Sequence, residues 1–257
     1  MQFGEIFSCY DIGTSQNFEI PFLTWMINTN HGNNSPDIQG RDLNYFKDLN
    51  NLDKPKKMSV ICSTKSFTES HKKRLDFVYK LKEYFQEDLD WFGNGINPIK
   101  TKWEGISPYK YHIVLENKTN KYIVSEKLYD SYLGLSFPFY SGATNVNDYF
   151  PEDSLLKIDI NDYAKSIFSI EEAINKNVYE ENYDSIIKSK NIVCEELNLF
   201  NRVAELSLSK SKYKDSETIK TFKSTIRNKE YFEKKYMKKD KLKRTFFKYL
   251  KKLFILK

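Results

Sequence analysis

Two adjacent charged residues, Glu126 and Lys127, stand directly after a serine that can cap a helix. Upstream, the apolar residues 111–115 are typical of a buried strand, and Glu116 and Asn117 follow them at once. Ligands of open α/β sheets bind where strands end and helices begin. At such a place a carboxylate can accept hydrogen bonds from both hydroxyls of a ribose, and an ammonium group can neutralise phosphate. The pattern therefore indicates a nucleotide site.

Strands that alternate with amphipathic helices surround this stretch from Met58 onward. Such alternation is typical of an α/β protein with a parallel sheet, and residues 162–210 predict a helical C-terminal extension. Residues 1–57, by contrast, read as a linker-like or incomplete unit. The predicted strands are 58–62, 89–92, 111–115, 137–140 and 155–160, and the predicted helices between them are 68–86, 125–134 and 145–149.

Net positive charge is concentrated at one end of the chain. The formal charge of the 257 residues is +6 at pH 7, yet residues 230–257 hold ten lysines and one arginine against three acidic residues, which gives this tail +8. The remaining residues therefore carry a net charge of only −2. A groove that follows a nucleic-acid backbone needs Lys and Arg spread over the folded surface, so we expect no nucleic-acid partner.

The sequence has three cysteines that lie far apart, Cys9, Cys62 and Cys194. Their odd number and wide spacing predict free thiols in a reducing compartment, and not a disulfide framework or a zinc cluster. The histidines, which show no metal-ligand spacing, are His31, His71 and His112. No apolar run is long enough to cross a membrane, and the first ten residues lack a secretory signal, so we expect a soluble protein made in the cytosol.

Further motifs accompany the Glu-Lys pair in a fixed order. They are Leu-Glu-Asn at 115–117, Tyr-Ile-Val-Ser-Glu-Lys at 122–127, Phe-Pro-Phe-Tyr-Ser-Gly at 137–142 and Pro-x-x-Ser-Leu-Leu at 151–156, preceded by Leu-Asp-Trp-Phe-Gly at 89–93 and by the segment 63–77 around Arg74. Together they resemble the inverting α-1,3-fucosyltransferase family over residues 63–156. The resemblance implies a Rossmann-like domain that binds the sugar donor, one half of a glycosyltransferase-B architecture.

The resemblance also implies what individual residues do. Arg74 and Lys127 would hold the diphosphate of GDP-fucose, and Glu126 would bind its ribose. Asn117 and Tyr122 would contact the sugar-phosphate side of the donor. The activity implied is transfer of fucose to a glycan acceptor with inversion. No metal or other cofactor is expected, because two cationic side chains can stabilise the leaving diphosphate.

Each of these residues has another interpretation when it is taken alone. Arg74 is typical of a solvated helix face, and Tyr122 of core packing. Glu126 and Lys127 are common in the first turn of a helix, and Asn117 is common in turns. The prediction therefore rests on the joint pattern.

One acidic pair has to be considered as a metal site. Asp88 and Asp90 form a D-x-D motif, which can hold manganese in other sugar transferases. The motif lies at the start of the predicted strand 89–92 and matches a strand of the resembled family. This position favours a structural role.

The acceptor half of such an enzyme is mostly missing from the sequence. In the resembled family, the N-terminal domain supplies the carboxylate that takes the proton of the acceptor hydroxyl. Residues 1–57 resemble only a remnant of that domain, so the base is unassigned, with Glu5, Asp11 and Glu19 as candidates. We expect either a fragment whose partner chain supplies the acceptor domain, or a reduced protein that binds a nucleotide sugar without efficient transfer.

The tail predicts attachment to a membrane surface. Within 241–257, Leu and Phe residues fall on one helical face and Lys and Arg residues on the others, a pattern typical of helices that lie on anionic membranes. We therefore expect a cytoplasmic, peripheral membrane protein. An α/β scaffold that only associates with membranes or nucleic acid is the alternative from another class.

The predicted regions are a remnant of the acceptor domain at 1–57, a donor-binding domain at 58–180, a helical region at 181–229 and the basic tail at 230–257.

Overall fold

The structure is a computed structural model that describes residues 7–8, 17–18, 25–28 and 41–211. Two short strands, β1 (Phe7–Ser8) and β2 (Asn17–Phe18), pair in parallel. Helix α1 (Leu43–Asp48) begins after Asp42, whose carboxylate accepts a hydrogen bond from the backbone N–H of Tyr45 at 2.9 Å. A capped helix therefore stands in the region that the sequence suggested to be linker-like.

A parallel sheet of five strands lies at the centre of the fold and confirms the predicted α/β class. Its strands are β3 (Lys56–Ile61), β4 (Leu89–Phe92), β5 (Tyr109–Leu115), β6 (Phe137–Ser141) and β7 (Leu156–Lys157). Their order across the sheet is β4-β3-β5-β6-β7, and every neighbouring pair is parallel. All residues of β6 are buried, as are those of β5 except Lys110, because other elements cover both faces of the sheet.

Helices connect and follow the strands. They are α2 (Glu69–Phe85), α3 (Lys102–Ile106), α4 (Glu126–Leu133), α5 (Tyr163–Asn175), α6 (Val178–Glu181), α7 (Tyr183–Glu195) and α8 (Leu199–Ser211). Thr68, Ser125 and Asp162 precede α2, α4 and α5, and the side chain of each accepts a hydrogen bond from a backbone N–H of the first turn. These caps explain why the sequence located the starts of these helices well.

The last strand is shorter than the sequence predicts. We expected a strand over 155–160, whereas β7 ends at Lys157. The carboxylate of Asp159 accepts a hydrogen bond from the backbone N–H of Asn161 at 2.9 Å. A local turn of this kind diverts the backbone from sheet pairing, so the strand stops before it.

Helix α3 is absent from the sequence prediction. It has only five residues and includes Gly105, so it carries no apolar repeat that would reveal it. A Cβ atom on Gly105 would lie 3.0 Å from the side chain of Ile99 and 3.2 Å from that of Ile61. The glycine thus lets α3 lie close to the end of β3, and this approach brings Lys102 to the sheet edge.

Buried Lys190 joins the first helix to the helical region. Its ammonium group donates to the backbone carbonyls of Lys47 at 3.0 Å and Leu49 at 2.7 Å. These carbonyls belong to the end of α1, where the last C=O groups of a helix have no partner within the helix. Helix α7 therefore caps α1 through one side chain.

Several predictions from the sequence lie outside the described residues. These are the basic tail at 230–257 and the three candidate bases, Glu5, Asp11 and Glu19. Within the part of the chain that the structure describes, no helix has both the length and the apolar character needed to cross a bilayer.

Candidate functional site

A cleft opens at the carboxyl ends of β3, β4 and β5, beside the N-terminus of α4. The polar residues that line it include Arg74, Lys102, His112, Glu126, Lys127 and Asp130. Its volume of about 210 Å³ is below the range typical of pockets that enclose a whole cofactor-sized ligand. The cleft can therefore hold only part of a nucleotide-sized molecule, and the rest must extend beyond it.

The loops after β3 and β4 meet at the rim of the cleft. Gly93 has a φ of 142°, and a Cβ atom there would lie 2.5 Å from the carbonyl oxygen of Cys62. The backbone N–H of Thr64 donates to the carbonyl of Asn94 at 3.1 Å. Only glycine fits this close backbone contact, which fixes the two loops against each other.

Arg74 reaches the cleft from the middle of α2. It is 8% exposed, so in the folded chain it is not on a solvated helix face. Its guanidinium donates to the side-chain oxygen of Asn117, and the hydroxyl of Ser70 donates to the backbone carbonyl of the same asparagine. Asn117 therefore orients the arginine from the end of β5.

One N–H group of the Arg74 guanidinium, that of Nε, is buried and has no partner among the described residues. Buried polar groups rarely lack a partner, and exceptions call for an explanation. The guanidinium also lines the cleft, and guanidinium groups bind carboxylate and phosphate oxygens in a forked geometry.

Glu116 organises the start of α4. Its buried carboxylate accepts hydrogen bonds from the backbone N–H of Ser125 at 2.7 Å and from the Ser125 hydroxyl at 2.6 Å. Nζ of Lys127 lies 3.4 Å from the same carboxylate and 2.9 Å from the Ser125 hydroxyl oxygen. Because the Lys127 side chain is still 28% exposed, its ammonium group is fixed in direction but open to a ligand.

Lys102 bridges two carboxylates on one face of α4. Its Nζ lies 3.2 Å from Oε1 of Glu126 and 2.8 Å from Oδ2 of Asp130. Burial would lower the pKa of Lys102, but Asp130 and Glu126 outweigh burial and raise it. Burial would likewise raise the pKa of Glu126, yet Lys102 and Lys127 outweigh it and lower that pKa. Both groups are therefore charged at neutral pH.

The balance of charge in the cleft is positive. Four cationic side chains line it, those of Lys65, Arg74, Lys102 and Lys127, against the two carboxylates of Glu126 and Asp130. A concave surface of one net sign attracts ligands of the opposite sign. The arrangement suits an anion such as a diphosphate.

His112 and Cys62 contribute neutral groups to the cleft. The hydroxyl of Ser59 donates to the carbonyl of Gly105 at 2.6 Å, so its oxygen must accept from Nδ1 of His112 at 2.8 Å. Burial, together with Lys102 and Lys54, lowers the pKa of His112 to about 3, and the ring is uncharged. Burial also raises the pKa of the Cys62 thiol, although Arg74 and Lys127 oppose this rise.

Two predicted site residues, Asn117 and Tyr122, are not among the residues that line the cleft. Asn117 acts through Arg74, as described above. Tyr122 has a φ of 63°, and its backbone N–H donates to the side chain of Asn145 at 3.0 Å. The structure thus brings Arg74, Glu126 and Lys127 together in one cleft, whereas Tyr122 belongs to the loop that precedes α4.

The sequence prediction missed several polar residues of the cleft, including Cys62, Lys65, Lys102, His112 and Asp130. Asp130 follows Glu126 by four residues, so the helical repeat places both on one face, and this spacing was a readable sign. Lys102 lies on the unpredicted helix α3, and no pattern in the sequence connects it to α4.

The D-x-D pair lies at the other end of the sheet from the cleft. Asp88 pairs with Lys57 at 2.6 Å, at the start of β3 and β4. Asp90 pairs with Lys56 at 2.9 Å and accepts a hydrogen bond from the Tyr109 hydroxyl at 2.6 Å. Both carboxylates therefore form ion pairs at the N-terminal ends of the strands. Across the described ranges, no group of three or more His, Cys, Asp or Glu side chains is arranged to hold a metal ion.

Comparison with known proteins gives one family match. The family described as glycosyltransferase family 10 (fucosyltransferase), C-terminal part, matches residues 54–187, just over half of the chain. No curated protein sequence matches the chain.

Similar solved structures include an α1,3-fucosyltransferase with GDP-fucose, at 21% identity and a TM-score of 0.42, over 55% of this chain and 47% of that one. Another is an α1,3-fucosyltransferase with GDP, at 21% identity and a TM-score of 0.42, over 54% of this chain and 47% of that one. The chain thus matches less than half the length of these structures. The family match covers all the predicted site residues, and the chain belongs to glycosyltransferase family 10, the fucosyltransferases, through their C-terminal domain.

Proposed function

We propose that this chain binds GDP-fucose and serves in the transfer of fucose to a glycan acceptor with inversion. The observation that carries the proposal is the convergence of Arg74 and Lys127 on one cleft, at strand ends and a helix N-terminus, with Glu126 beside them. Family membership indicates the sugar-transfer class, and the solved structure of a relative contains GDP-fucose.

The diphosphate of the donor lies between Arg74 and Lys127. The Arg74 guanidinium has a buried donor without a partner, and the Lys127 ammonium is oriented by Glu116 but remains partly exposed. As the glycosidic bond breaks, negative charge grows on the diphosphate, and two fixed cations stabilise it without rearrangement. We propose that no metal is needed for this step.

The ribose of the donor binds to Glu126. Its carboxylate is ionised because Lys102 and Lys127 lower its pKa, and its side chain is 29% exposed toward the cleft. An ionised carboxylate only accepts hydrogen bonds, and it can take both hydroxyls of a ribose at once. Asn117 supports the sugar-phosphate side by holding Arg74 in place.

The transfer step needs a group that the cleft does not supply. Inversion requires a base that accepts the proton of the acceptor hydroxyl as it attacks the anomeric carbon. We propose that an acceptor domain of the glycosyltransferase-B type, on this chain or on a partner chain, provides that base. The basic tail would hold the enzyme peripherally at the cytosolic face of a membrane.

Titration calorimetry with GDP tests the donor site. Arg74→Ala and Lys127→Ala should each weaken binding by ~1.5–3 kcal/mol, the typical contribution of a charged hydrogen bond. Lys118→Ala is the matched control, because Lys118 is exposed and lies outside the cleft. Absence of GDP binding by the native chain, or equal effects of all three variants, would refute the proposed site.

A turnover assay separates an enzyme from a binding module. Release of GDP from GDP-fucose in the presence of glycan acceptors supports transfer by this chain. Donor binding without turnover supports the alternative, in which a partner chain is required. A chain that acts only as a scaffold would bind no nucleotide, and its association with anionic surfaces would weaken steeply with salt.

A further inference from the structure

Lys102 links the nucleotide cleft to a fully buried carboxylate. Its Nζ contacts Glu126 on one side at 3.2 Å and Asp130 on the other at 2.8 Å. Asp130 is completely buried, and its second oxygen accepts a hydrogen bond from the backbone N–H of Met26 at 2.9 Å. The ammonium group of Lys102 is thus held between two carboxylates, one of which is itself anchored to the backbone of Met26.

We propose that Lys102, held by Asp130, is a positioning residue that orients the carboxylate of Glu126 for the ribose of the donor nucleotide. This inference rests on the proposed function of the cleft. Lys102 does not contact the donor itself and affects donor binding only by orienting Glu126.

The position of Lys102 favours an indirect role. Its side chain is only 12% exposed, and two of its three N–H donors are directed at carboxylates. Glu126, by contrast, is 29% exposed and keeps lone pairs for a ligand. The lysine thus lies at the cleft wall with most of its donors already engaged, whereas the carboxylate beside it is more open to a ligand.

The two carboxylates need a cation between them. Glu126 and Asp130 lie four residues apart on α4, where two ionised carboxylates repel each other; burial raises the pKa of Asp130, Glu126 adds to this rise and Lys102 opposes it. A buried carboxylate such as that of Asp130 is also unfavourable without a charged partner. Lys102 satisfies both requirements, and in doing so it selects one direction for the Glu126 side chain.

Helix α3, which carries Lys102, is itself fixed in place, so the direction of the Glu126 side chain is defined. The backbone N–H of Trp103 donates to the carbonyl of Ile27 at 2.9 Å, one residue after Met26, which binds Asp130. The segment 25–28 thus contacts both α3 and α4. A side chain that spans two fixed helices can hold the ribose-binding carboxylate within the narrow tolerance that binding requires.

Titration calorimetry with two nucleotides tests the inference. GDP offers both ribose hydroxyls to Glu126, whereas 2′,3′-dideoxy-GDP offers none. Lys102→Met should weaken GDP binding roughly tenfold, the effect of one charged hydrogen bond, and should leave binding of the dideoxy nucleotide nearly unchanged. In a Glu126→Gln background the same substitution should have little further effect, and Lys102→Arg should restore most of the GDP affinity.

Controls guard against a purely structural effect. Lys100→Met serves as the matched variant, because Lys100 is exposed and lies outside the cleft. If Lys102→Met unfolds because Asp130 is left unpaired, the double variant Lys102→Met with Asp130→Asn removes both charges and is tested in the same way.

Two outcomes overturn the inference while the proposed function stands. Equal losses for both nucleotides would mean that the charge of Lys102 acts on the diphosphate and not through Glu126. If Lys102→Met leaves the affinity for both nucleotides unchanged, while Arg74→Ala weakens binding as expected, Glu126 is oriented without Lys102. A native chain that binds neither nucleotide refutes the proposed function and this inference with it.

Discussion

Glu116 at the end of β5 accepts both the backbone N–H and the hydroxyl of Ser125, the residue that caps α4, at 2.7 and 2.6 Å. The carboxyl end of a strand and the amino end of a helix are thereby joined through one buried carboxylate. The same carboxylate lies 3.4 Å from the Lys127 ammonium. The charged residues of the cleft therefore depend on a residue that does not line it.

Replacement of Glu116 should reveal this dependence. Glu116→Ala removes the acceptor for Ser125 and the partner of Lys127, so the free energy of unfolding should fall by ~2–3 kcal/mol. Urea unfolding measures the change, and exposed Glu87→Ala provides the control. A loss below ~0.5 kcal/mol, the usual size of a surface effect, would show that the helix start does not need this carboxylate.

His112 should make the fold sensitive to acid. The pKa of His112 is about 3 in the folded chain, against 6.5 ordinarily, so between these values the unfolded chain binds a proton that the folded chain excludes. Stability from this group is complete above pH 6.5 and should fall by up to ~1.4 kcal/mol per pH unit as the pH decreases toward 3.

The variant His112→Asn isolates this effect, since its amide can still donate to Ser59 but cannot titrate. Unfolding curves at pH 7, 6, 5 and 4 should show a steeper decline for the native chain than for the variant. If the stability of both proteins declines in parallel, His112 binds a proton in the folded chain as readily as in the unfolded chain.

Gly93 should tolerate no side chain. Gly93→Ala places a Cβ atom 2.5 Å from the carbonyl oxygen of Cys62, at a φ of 142° that side chains rarely adopt. The free energy of unfolding should fall by ~1–3 kcal/mol, as expected for overpacking at a fixed backbone contact. Thermal unfolding provides the measurement, with exposed Asn97→Ala as the neighbouring control. Equal stability of the two variants would contradict the close contact between the loops.

Lys190 should stabilise the fold without touching the cleft. Lys190→Met keeps most of the buried volume but leaves the carbonyls of Lys47 and Leu49 without their donor. Loss of these two charged hydrogen bonds should lower the free energy of unfolding by ~1–3 kcal/mol, as measured with urea, while the affinity for GDP should stay that of the native chain. Exposed Lys188→Met is the control on the same helix. A variant as stable as this control would show that α1 needs no cap from α7.

Strand and helix positions followed from the sequence where local chemistry determines them. Strand β4 covers the predicted residues 89–92, since glycine follows it directly and ends the apolar run. Ser125 caps α4 as predicted, and Asp162 caps α5, because their side chains act within one helical turn. Helix α3 and the early end of β7 depend on a glycine contact and on an aspartate turn, and neither gives a periodic signal.

The sequence predicted those residues of the cleft that belong to the motifs. Arg74 and Lys127 lie 53 positions apart in sequence, yet the motif pattern predicted that both bind one ligand, and the structure brings both to one cleft. The Lys102 bridge could not be predicted, because it joins residues of α3 and α4 whose contact exists only after the sheet has formed. Whether a carboxylate such as Asp130 is buried depends on that packing and not on its neighbours in sequence.

The attachment of residues 25–28 also decides where the chain can be shortened. A fragment cut at residue 54, where the family match begins, would lose the Met26 N–H that binds Asp130 and the Ile27 carbonyl that binds the Trp103 N–H. It would also expose the core surface against which fully buried Ile27 packs. Expression of the donor-binding half should therefore start upstream of Trp25. A shorter protein would expose an apolar surface beside its own ligand site.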